Sequence, residues 1–226
     1  MSIATLTNTD LRMRAAVMHE LDADPRLDAS GIGVSAKAAA VTLGGFVNTY
    51  AAKLAAERAA KRVRGVRAVA NDLDVRLGLT RADDEIARDA AHLLEIHTQV
   101  PRTVQAVVHH GHITLTGSVE SMFQHHAAEK AVRHIAGVAG IKNHIEVRAA
   151  PPPEDIRQRI GATLDRSADV NARFIRVNIV GSVATLKGEV SSWAQRHAAE
   201  RAVADAPGVS RVDNQLEIRP PDCTEA

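Results

Sequence analysis

Apolar residues open each of three similar segments of the chain at a spacing of four positions. Residues four apart lie on one face of an α-helix, so each segment is predicted to begin with a helix that buries one stripe. Carboxylates beside two stripes, at residues 84–85 and 154–155, suit the positive end of a helix dipole. The stripes are Met13, Val17 and Leu21, then Ile86, Ala90 and Leu94, then Ile156, Ile160 and Leu164.

Alternating apolar and polar residues follow each stripe and predict a β-hairpin. In the third segment residues 175–180 alternate before a Gly-Ser turn at 181–182, and the second segment has the same pattern around a His-Gly turn at 110–111. The first segment has no turn glycine at 37–40, and two glycines dilute its strand at 31–34. We therefore expect the first hairpin to be the least ordered of the three.

A second helix and a closing strand complete each segment. A hydroxyl residue stands where the helix N-cap is expected, small residues form its buried stripe, and a glycine ends it where a left-handed residue is favourable. The cap, stripe and glycine are Thr49, Ala56, Ala59, Val63 and Gly65 in the first segment, Ser121, Ala128, Ala131, Ile135 and Gly137 in the second, and Ser192, Ala199, Ala202, Ala206 and Gly208 in the third.

Constant spacing of landmark residues indicates that one structural unit is used three times. The differences 117 − 45 and 143 − 71 both equal 72, and 188 − 117 and 214 − 143 both equal 71. We predict an α+β fold of three tandem α-β-β-α-β modules, each with two helices packed on a three-stranded mixed sheet. The modules are expected at residues 10–77, 82–149 and 153–220. The landmarks are Gly45, Gly117 and Gly188 with Asn71, Asn143 and Asn214.

The landmark residues are expected to be structural. Each glycine would allow a backbone path that a Cβ would obstruct. Each asparagine shares a strand face with an apolar residue, which favours a half-buried amide bonded to a neighbouring loop. The glutamate of each Ala-Ala-Glu motif follows Lys53, His125 or Arg196 by four residues, the spacing of a surface ion pair on a helix.

Composition limits what such modules can do. Aromatic residues make up 2% of the 226 residues, which favours thin helix-on-sheet layers over a large ligand cavity. The net charge of +1 gives no overall steering toward nucleic acid or membrane, and the single cysteine, Cys223, has no internal disulfide partner. Neither a membrane-spanning stretch nor a secretory signal pattern is visible, so we expect a cytoplasmic protein.

Motifs for catalysis and metal binding do not emerge from the sequence. No phosphate-binding glycine loop, nucleophile elbow or paired-carboxylate arrangement recurs, so no catalytic residue and no cofactor is predicted. A Gly-x-x-Gly loop is missing from the equivalent positions, and no nucleic-acid partner is expected. Nine of the 11 histidines fall in the second segment, yet no acidic or cysteine ligand accompanies His110 and His112 at metal spacing. We expect no metal there; a pH-responsive surface is the alternative.

The second helix of the first segment is a candidate contact surface. It carries Lys53, Arg58, Lys61 and Arg62, with Glu57 as the opposing charge. Such a helix is either an ordinary solvated face or a contact for an anionic partner.

A large side chain begins the second helix of every segment. The equivalent residues are Tyr50, Met122 and Trp193. They either staple the entry of the helix or protrude as anchors for a lipid or protein surface, where the amphipathic ring of Trp193 would be favourable.

The repeated landmarks resemble the BON (bacterial OsmY and nodulation) domain, in three copies across residues 10 to 220. The resemblance rests on LGG…AAERAAKRVRGVRAVANDLDV, LTGSV…AAEKAVRHIAGVAGIKNHIEV and LKGEV…AAERAVADAPGVSRVDNQLEI. It implies noncatalytic binding modules of the bacterial envelope and of stress responses, with phospholipid surfaces as partners. Envelope relatives carry a signal peptide or lipobox cysteine, and this chain shows neither. One relative binds potassium with the help of a LysM domain, so a cation or small-ligand sensor and a protein-protein scaffold are the alternatives.

Overall fold

The structure, a computed structural model, describes residues 8–76, 78, 81–148, 156, 160, 161, 175–206 and 208–219. These residues form α-helices and small mixed β-sheets, an α+β architecture. The chain divides into two compact units, Met1–Thr80 and Arg81–Ala226. The first unit contains the first repeat, and the second unit contains the other two.

The first repeat has a complete α-β-β-α-β order. Helix α1 (Asn8–Asp22) leads to a hairpin of β1 (Ile32–Lys37) and β2 (Ala40–Val47), and α2 (Tyr50–Arg62) then leads to β3 (Ala68–Val75). A short 3₁₀ turn at residues 29–31 precedes β1. The sheet order is β1-β2-β3, with β1 antiparallel and β3 parallel to β2. The sheet is therefore mixed.

The second repeat follows the same order with interrupted strands. Helix α3 (Asp83–Ile96) precedes the hairpin of β4 (Gln105–His109) and β5 (His112–Thr116), and β4-β5-β7 form the main sheet. A separate short parallel pair, β6 and β8, continues β5 and β7 beyond each break. The remaining elements are β6 (Ser118–Val119), α4 (Met122–Val132), β7 (Gly140–Asn143) and β8 (Glu146–Val147).

The third repeat has long strands like those of the first. Its hairpin of β9 (Ile175–Val180) and β10 (Val183–Val190) is followed by α5 (Trp193–Ala204) and β11 (Arg211–Ile218), in the sheet order β11-β10-β9. Ile156 and Ile160, from the predicted first helix, are helical and buried. The third member of that stripe, Leu164, lies outside the described residues.

Helices cover one face of each sheet and leave the other open. In the first repeat α1 contacts β1 and α2, while α2 contacts β2 and β3. Strand residues alternate accordingly: Val34 and Ala36 are buried, whereas Ser35 and Lys37 are exposed. Burying a Val or Leu side chain stabilises a fold by about 1.5 to 3 kcal/mol, so the covered face supplies the stability of the repeat.

Each second helix buries two positions that are four residues apart. Residues at this spacing stay on one face of the helix, and that face lies on the sheet. The predicted stripe members Ala131 and Ala202 are only half-buried, because the buried face runs through the residue after each of them. The fully buried pairs are Ala56 with Ala60, Ala128 with Val132, and Ala199 with Val203.

Hydrogen bonds at the start of the second helix match the predicted caps, whereas its end differs. The side chains of Thr49, Ser121 and Ser192 each accept a hydrogen bond from the backbone N–H three residues later. The glycines predicted to end the helices lie three to five residues beyond them, at φ between 87° and 92°. They shape the turn into the closing strand instead.

The first hairpin is as extensively paired as the third. It has six paired positions, against six in the third repeat and five in the second, although the sequence predicted it to be the least ordered. Its turn places Ala38 and Ala39 at φ of 49° and 64° without glycine. The buried carboxylate of Asp10 in α1 accepts a hydrogen bond from the Ala38 backbone N–H at 3.0 Å. A carboxylate from another element thus holds a turn that its own residues do not favour.

Candidate functional site

The landmark glycines lie where the hairpin pairing ends. Gly45 has φ of 106°, and a Cβ there would be 2.2 Å from the Gly31 carbonyl oxygen. Gly117 has φ of 121°, and its Cβ would be 2.2 Å from the Thr103 carbonyl oxygen. Gly188 has φ of 133°. In the first and third sheets the strand extends past the glycine, where the described pairing is with its parallel neighbour. The glycine therefore has a structural role, because it allows the backbone path at this point.

The landmark asparagines bond the second helix, not a loop as the sequence suggested. Each is half-buried, and its Oδ1 also accepts the backbone N–H two residues later. The amide is therefore used within its own repeat, which ties the closing strand to the helix. The distances from Nδ2 to the helix carbonyl oxygen are 3.1 Å for Asn71 to Lys53, 3.2 Å for Asn143 to His125, and 3.5 Å for Asn214 to Arg196.

In the first and third repeats a cationic side chain of the second helix also donates a hydrogen bond to the closing strand. Lys53 Nζ donates to the Leu73 carbonyl oxygen at 2.7 Å, and Arg196 Nε donates to the Leu216 carbonyl oxygen at 3.2 Å. His125 holds the same position in the second repeat, and its Nδ1 lies 3.4 Å from the Asn143 amide nitrogen. The closing strand of that repeat is broken at this level, between β7 and β8.

The glutamates of the Ala-Ala-Glu motifs do not form the predicted ion pairs. Glu57 pairs with Lys61, four residues later, and accepts a hydrogen bond from Asn71 at 3.3 Å. Lys53 is directed to the closing strand instead. Partial burial opposes ionisation, but the bonds from Lys61 and Asn71 hold the pKa of Glu57 below its ordinary value. Glu200 likewise accepts a hydrogen bond from the Asn214 side chain at 3.0 Å.

The predicted basic surface on α2 is largely neutralised by the fold. Besides the bonds of Lys53 and Lys61, Arg62 pairs with Glu20 at 2.6 Å and with Asp24 at 3.3 Å. Asp24 is 5% exposed, and the hydrogen bond from Arg26 holds its pKa well below the usual range. Arg58, the remaining member of the predicted set, is exposed.

The large residues that begin the second helices are half-buried. Tyr50, Met122 and Trp193 all have this intermediate exposure. The Trp193 ring stacks on His197 with centroids 5.9 Å apart, and the Arg196 guanidinium carbon lies 5.3 Å from its centroid. These contacts of Trp193 lie within its own helix, and both the stapling and the anchoring interpretations of the three residues stay predictions.

Histidines gather at the hairpin turn of the second repeat. Asp83 of α3 accepts the backbone N–H groups of Gly111 at 2.9 Å and His110 at 2.7 Å, and these bonds lower the pKa of its carboxyl. His109 and His112 are directly paired across the strands beside that turn. Among the residues that the structure describes, no cluster of three metal-ligating side chains is found. Asp83 thus repeats the role of Asp10, which the sequence analysis missed because the partner is a distant backbone group.

Comparison with known families decides the identity of the repeats. The BON domain model matches three times, at residues 9–76, 82–149 and 153–220. The chain belongs to the BON family.

Known proteins similar to this BON chain include the osmotically-inducible protein Y of Escherichia coli (strain K12). The two are 30% identical over 146 residues, which is 62% of this chain and 73% of the relative. Two solved structures of CdsD, a structural protein of the type III secretion system of Chlamydia trachomatis, are 13% identical. The match to the first CdsD structure covers 92% of this chain and 92% of that structure, with a TM-score of 0.27. The match to the second, of the C-terminal domain of CdsD, covers 95% of this chain and 100% of that structure, with a TM-score of 0.26. TM-scores this low do not bear on the fold.

One exposed cation recurs in all three BON repeats and escaped the sequence analysis. Arg58, Lys130 and Arg201 share one position of the second helix, since 130 − 58 is 72 and 201 − 130 is 71. All three are exposed. The equal offsets could have revealed this set, which the local charge cluster in the first repeat obscured. Among the described helices, none is both long and apolar enough to cross a membrane.

Proposed function

We propose that this protein is a noncatalytic binding protein of osmotic stress physiology that acts through the surfaces of three α-β-β-α-β BON modules. Membership of the BON family and similarity to an osmotically-inducible protein support the physiological setting. Its partner, in this proposal, is the surface of an anionic phospholipid bilayer.

The recurring exposed cation carries the proposal. The polar landmarks of each repeat bond within that repeat, as the asparagines do to the second helix. Arg58, Lys130 and Arg201 occupy one position of the second helix in their repeats and are exposed to solvent. Each basic residue near an anionic membrane surface contributes about 1 kcal/mol, so each repeat adds a weak, reversible contact of its own.

The first repeat adds a further basic group to this contact. Lys53 donates to the backbone carbonyl oxygen of Leu73 and not to a carboxylate, whereas Glu57, Glu20 and Asp24 offset the charges of Lys61 and Arg62. The half-buried Tyr50 and Trp193 are proposed to rest against the headgroups as the helices approach the bilayer.

Vesicle flotation with charge variants tests the proposal. The full chain with Arg58, Lys130 and Arg201 changed to Gln should lose most of its binding to vesicles that contain phosphatidylglycerol. These positions are exposed, so the variant should melt like the parent. The matched control changes Arg12, Arg88 and Lys142 to Gln, which removes three exposed cations elsewhere and should leave binding nearly intact. Equal losses in both variants would show a response to net charge alone and would refute the proposed surface.

A further inference from the structure

Two cations face each other on the open side of the third sheet. Arg176 in β9 and Lys187 in β10 are directly paired across the antiparallel strands, and both are exposed. Like charges at directly opposite positions destabilise a sheet. Within the part of the chain that the structure describes, no carboxylate forms an ion pair with either residue.

The fold itself does not require this pair. The same two positions hold Gly33 opposite Gly44 in the first sheet, and Gln105 opposite Thr116 in the second. The hairpin therefore forms with two neutral residues at these positions in the first and second repeats, and with two cations in the third. The charges at the third copy are a property of that repeat and not of BON architecture.

Nearby acidic groups are engaged with other partners. Glu189 lies opposite Glu217, and Arg219 relieves that like-charge pair by binding Glu189 at 2.7 Å. Asp213 accepts a hydrogen bond from Gln215 at 2.6 Å. The acidic pair thus has a counter-charge within the chain, whereas no described residue provides one for the cationic pair.

The space between the cations suits a small oxyanion. A depression of about 470 Å³ is lined by Arg176, Lys187, Asn178 and Thr185, and also by Glu189, whose carboxylate is paired with Arg219. Asn178 and Thr185 are themselves directly paired, and they add an amide and a hydroxyl donor beside the two charges. A guanidinium, an ammonium and two neutral donors together match the oxygens of a phosphate group.

We propose that this depression binds a phosphate group between Arg176 and Lys187. The group is either a free phosphate or phosphomonoester, or the headgroup of a phospholipid. The site lies on the open sheet face and uses none of the helical cations of the proposed membrane contact, so either can fail without the other.

The second repeat supplies the test variant. Arg176→Gln with Lys187→Thr installs the pair that the second sheet carries at the same positions, so the hairpin should form normally. Lys142→Gln is the control, because Lys142 is an exposed cation on a strand of the second sheet. Without phosphate, the double variant should melt no lower than the parent, since a like-charge contact has been removed.

Binding is measured by NMR titration of the ¹⁵N-labelled full chain with inorganic phosphate at constant ionic strength. We expect saturable shifts at β9 and β10, at least tenfold weaker binding in the double variant, and unchanged binding in Lys142→Gln. In a second arm, vesicles with phosphatidic acid replace phosphate; a loss in the double variant confined to this arm identifies the lipid headgroup as the ligand. Equal binding by parent and double variant in both arms would overturn the proposal.

Discussion

Asn71 donates a hydrogen bond from its side chain to the backbone carbonyl of Lys53, 3.1 Å away, and Lys53 donates in return to the Leu73 carbonyl oxygen at 2.7 Å. The two residues thereby join the closing strand to the second helix in both directions. Arg196 and Asn214 form the corresponding link in the third repeat. This reciprocal link gives the recurring asparagine a structural role within its own repeat.

Removing the asparagine should destabilise the first repeat. Asn71→Ala leaves the backbone N–H of the buried Leu73 without its side-chain acceptor and removes the bond to the helix, a loss of about 1 to 3 kcal/mol. Urea denaturation of the full chain measures this loss. Asn48→Ala, at an exposed residue, is the control and should be within about 0.5 kcal/mol of the parent. If both variants unfold alike, the asparagine link is not a stabilising contact.

The second repeat should lose stability in mild acid through His125. Burial, followed by the charge of His126, lowers the pKa of His125, while Glu129 opposes the shift. Because the folded pKa lies below the unfolded value of about 6.5, the stabilisation is present above that pH and is lost as the pH falls through the folded pKa. Chemical denaturation between pH 8 and 5 should therefore show a steeper decline in the parent than in His125→Gln.

The second repeat contains other histidines, so the result is read from the difference between the parent and His125→Gln. His126→Gln removes the smaller of the two causes that lower the pKa of His125, so its decline should lie between those of the parent and His125→Gln. Parallel pH profiles for the parent and His125→Gln would contradict the assigned role of His125.

The alanine face of the second helix should not accept larger side chains. Ala199 is fully buried between α5 and its sheet, so Ala199→Leu should overpack the layer and destabilise the fold by about 1 to 3 kcal/mol. Ala194→Leu places the same side chain at an exposed position of the same helix. Thermal melts that fall only for Ala199→Leu would agree with the structure, whereas unchanged melts for both would contradict the buried face.

Local periodicity predicted several elements of this fold. The stripe of Ile86, Ala90 and Leu94 is buried in α3, and Thr49 caps α2, because spacing and capping depend on neighbours within a few residues. Contacts between distant residues were not accessible in this way. Asp10 stabilises a turn at Ala38, 28 residues away, and no local pattern indicates that the two meet.

The candidate site was harder to predict for the same reason. The sequence counted Lys61 and Arg62 as a basic surface, but Glu57, Glu20 and Asp24 meet them in the folded chain. The cation shared by the three repeats was visible only by aligning them, because a single exposed charge on a helix carries no signal of its own.

Binding of the full chain to vesicles of increasing phosphatidylglycerol content tests the central claim most directly. The account predicts negligible binding to pure phosphatidylcholine, a rise with the anionic fraction, and a loss as salt is raised, since exposed charges are screened over about 10 Å at 0.1 M. The single tryptophan, Trp193, reports insertion of the third repeat by a blue shift of its emission. Equal binding to neutral vesicles, or no binding to anionic vesicles at low salt, would contradict a lipid partner.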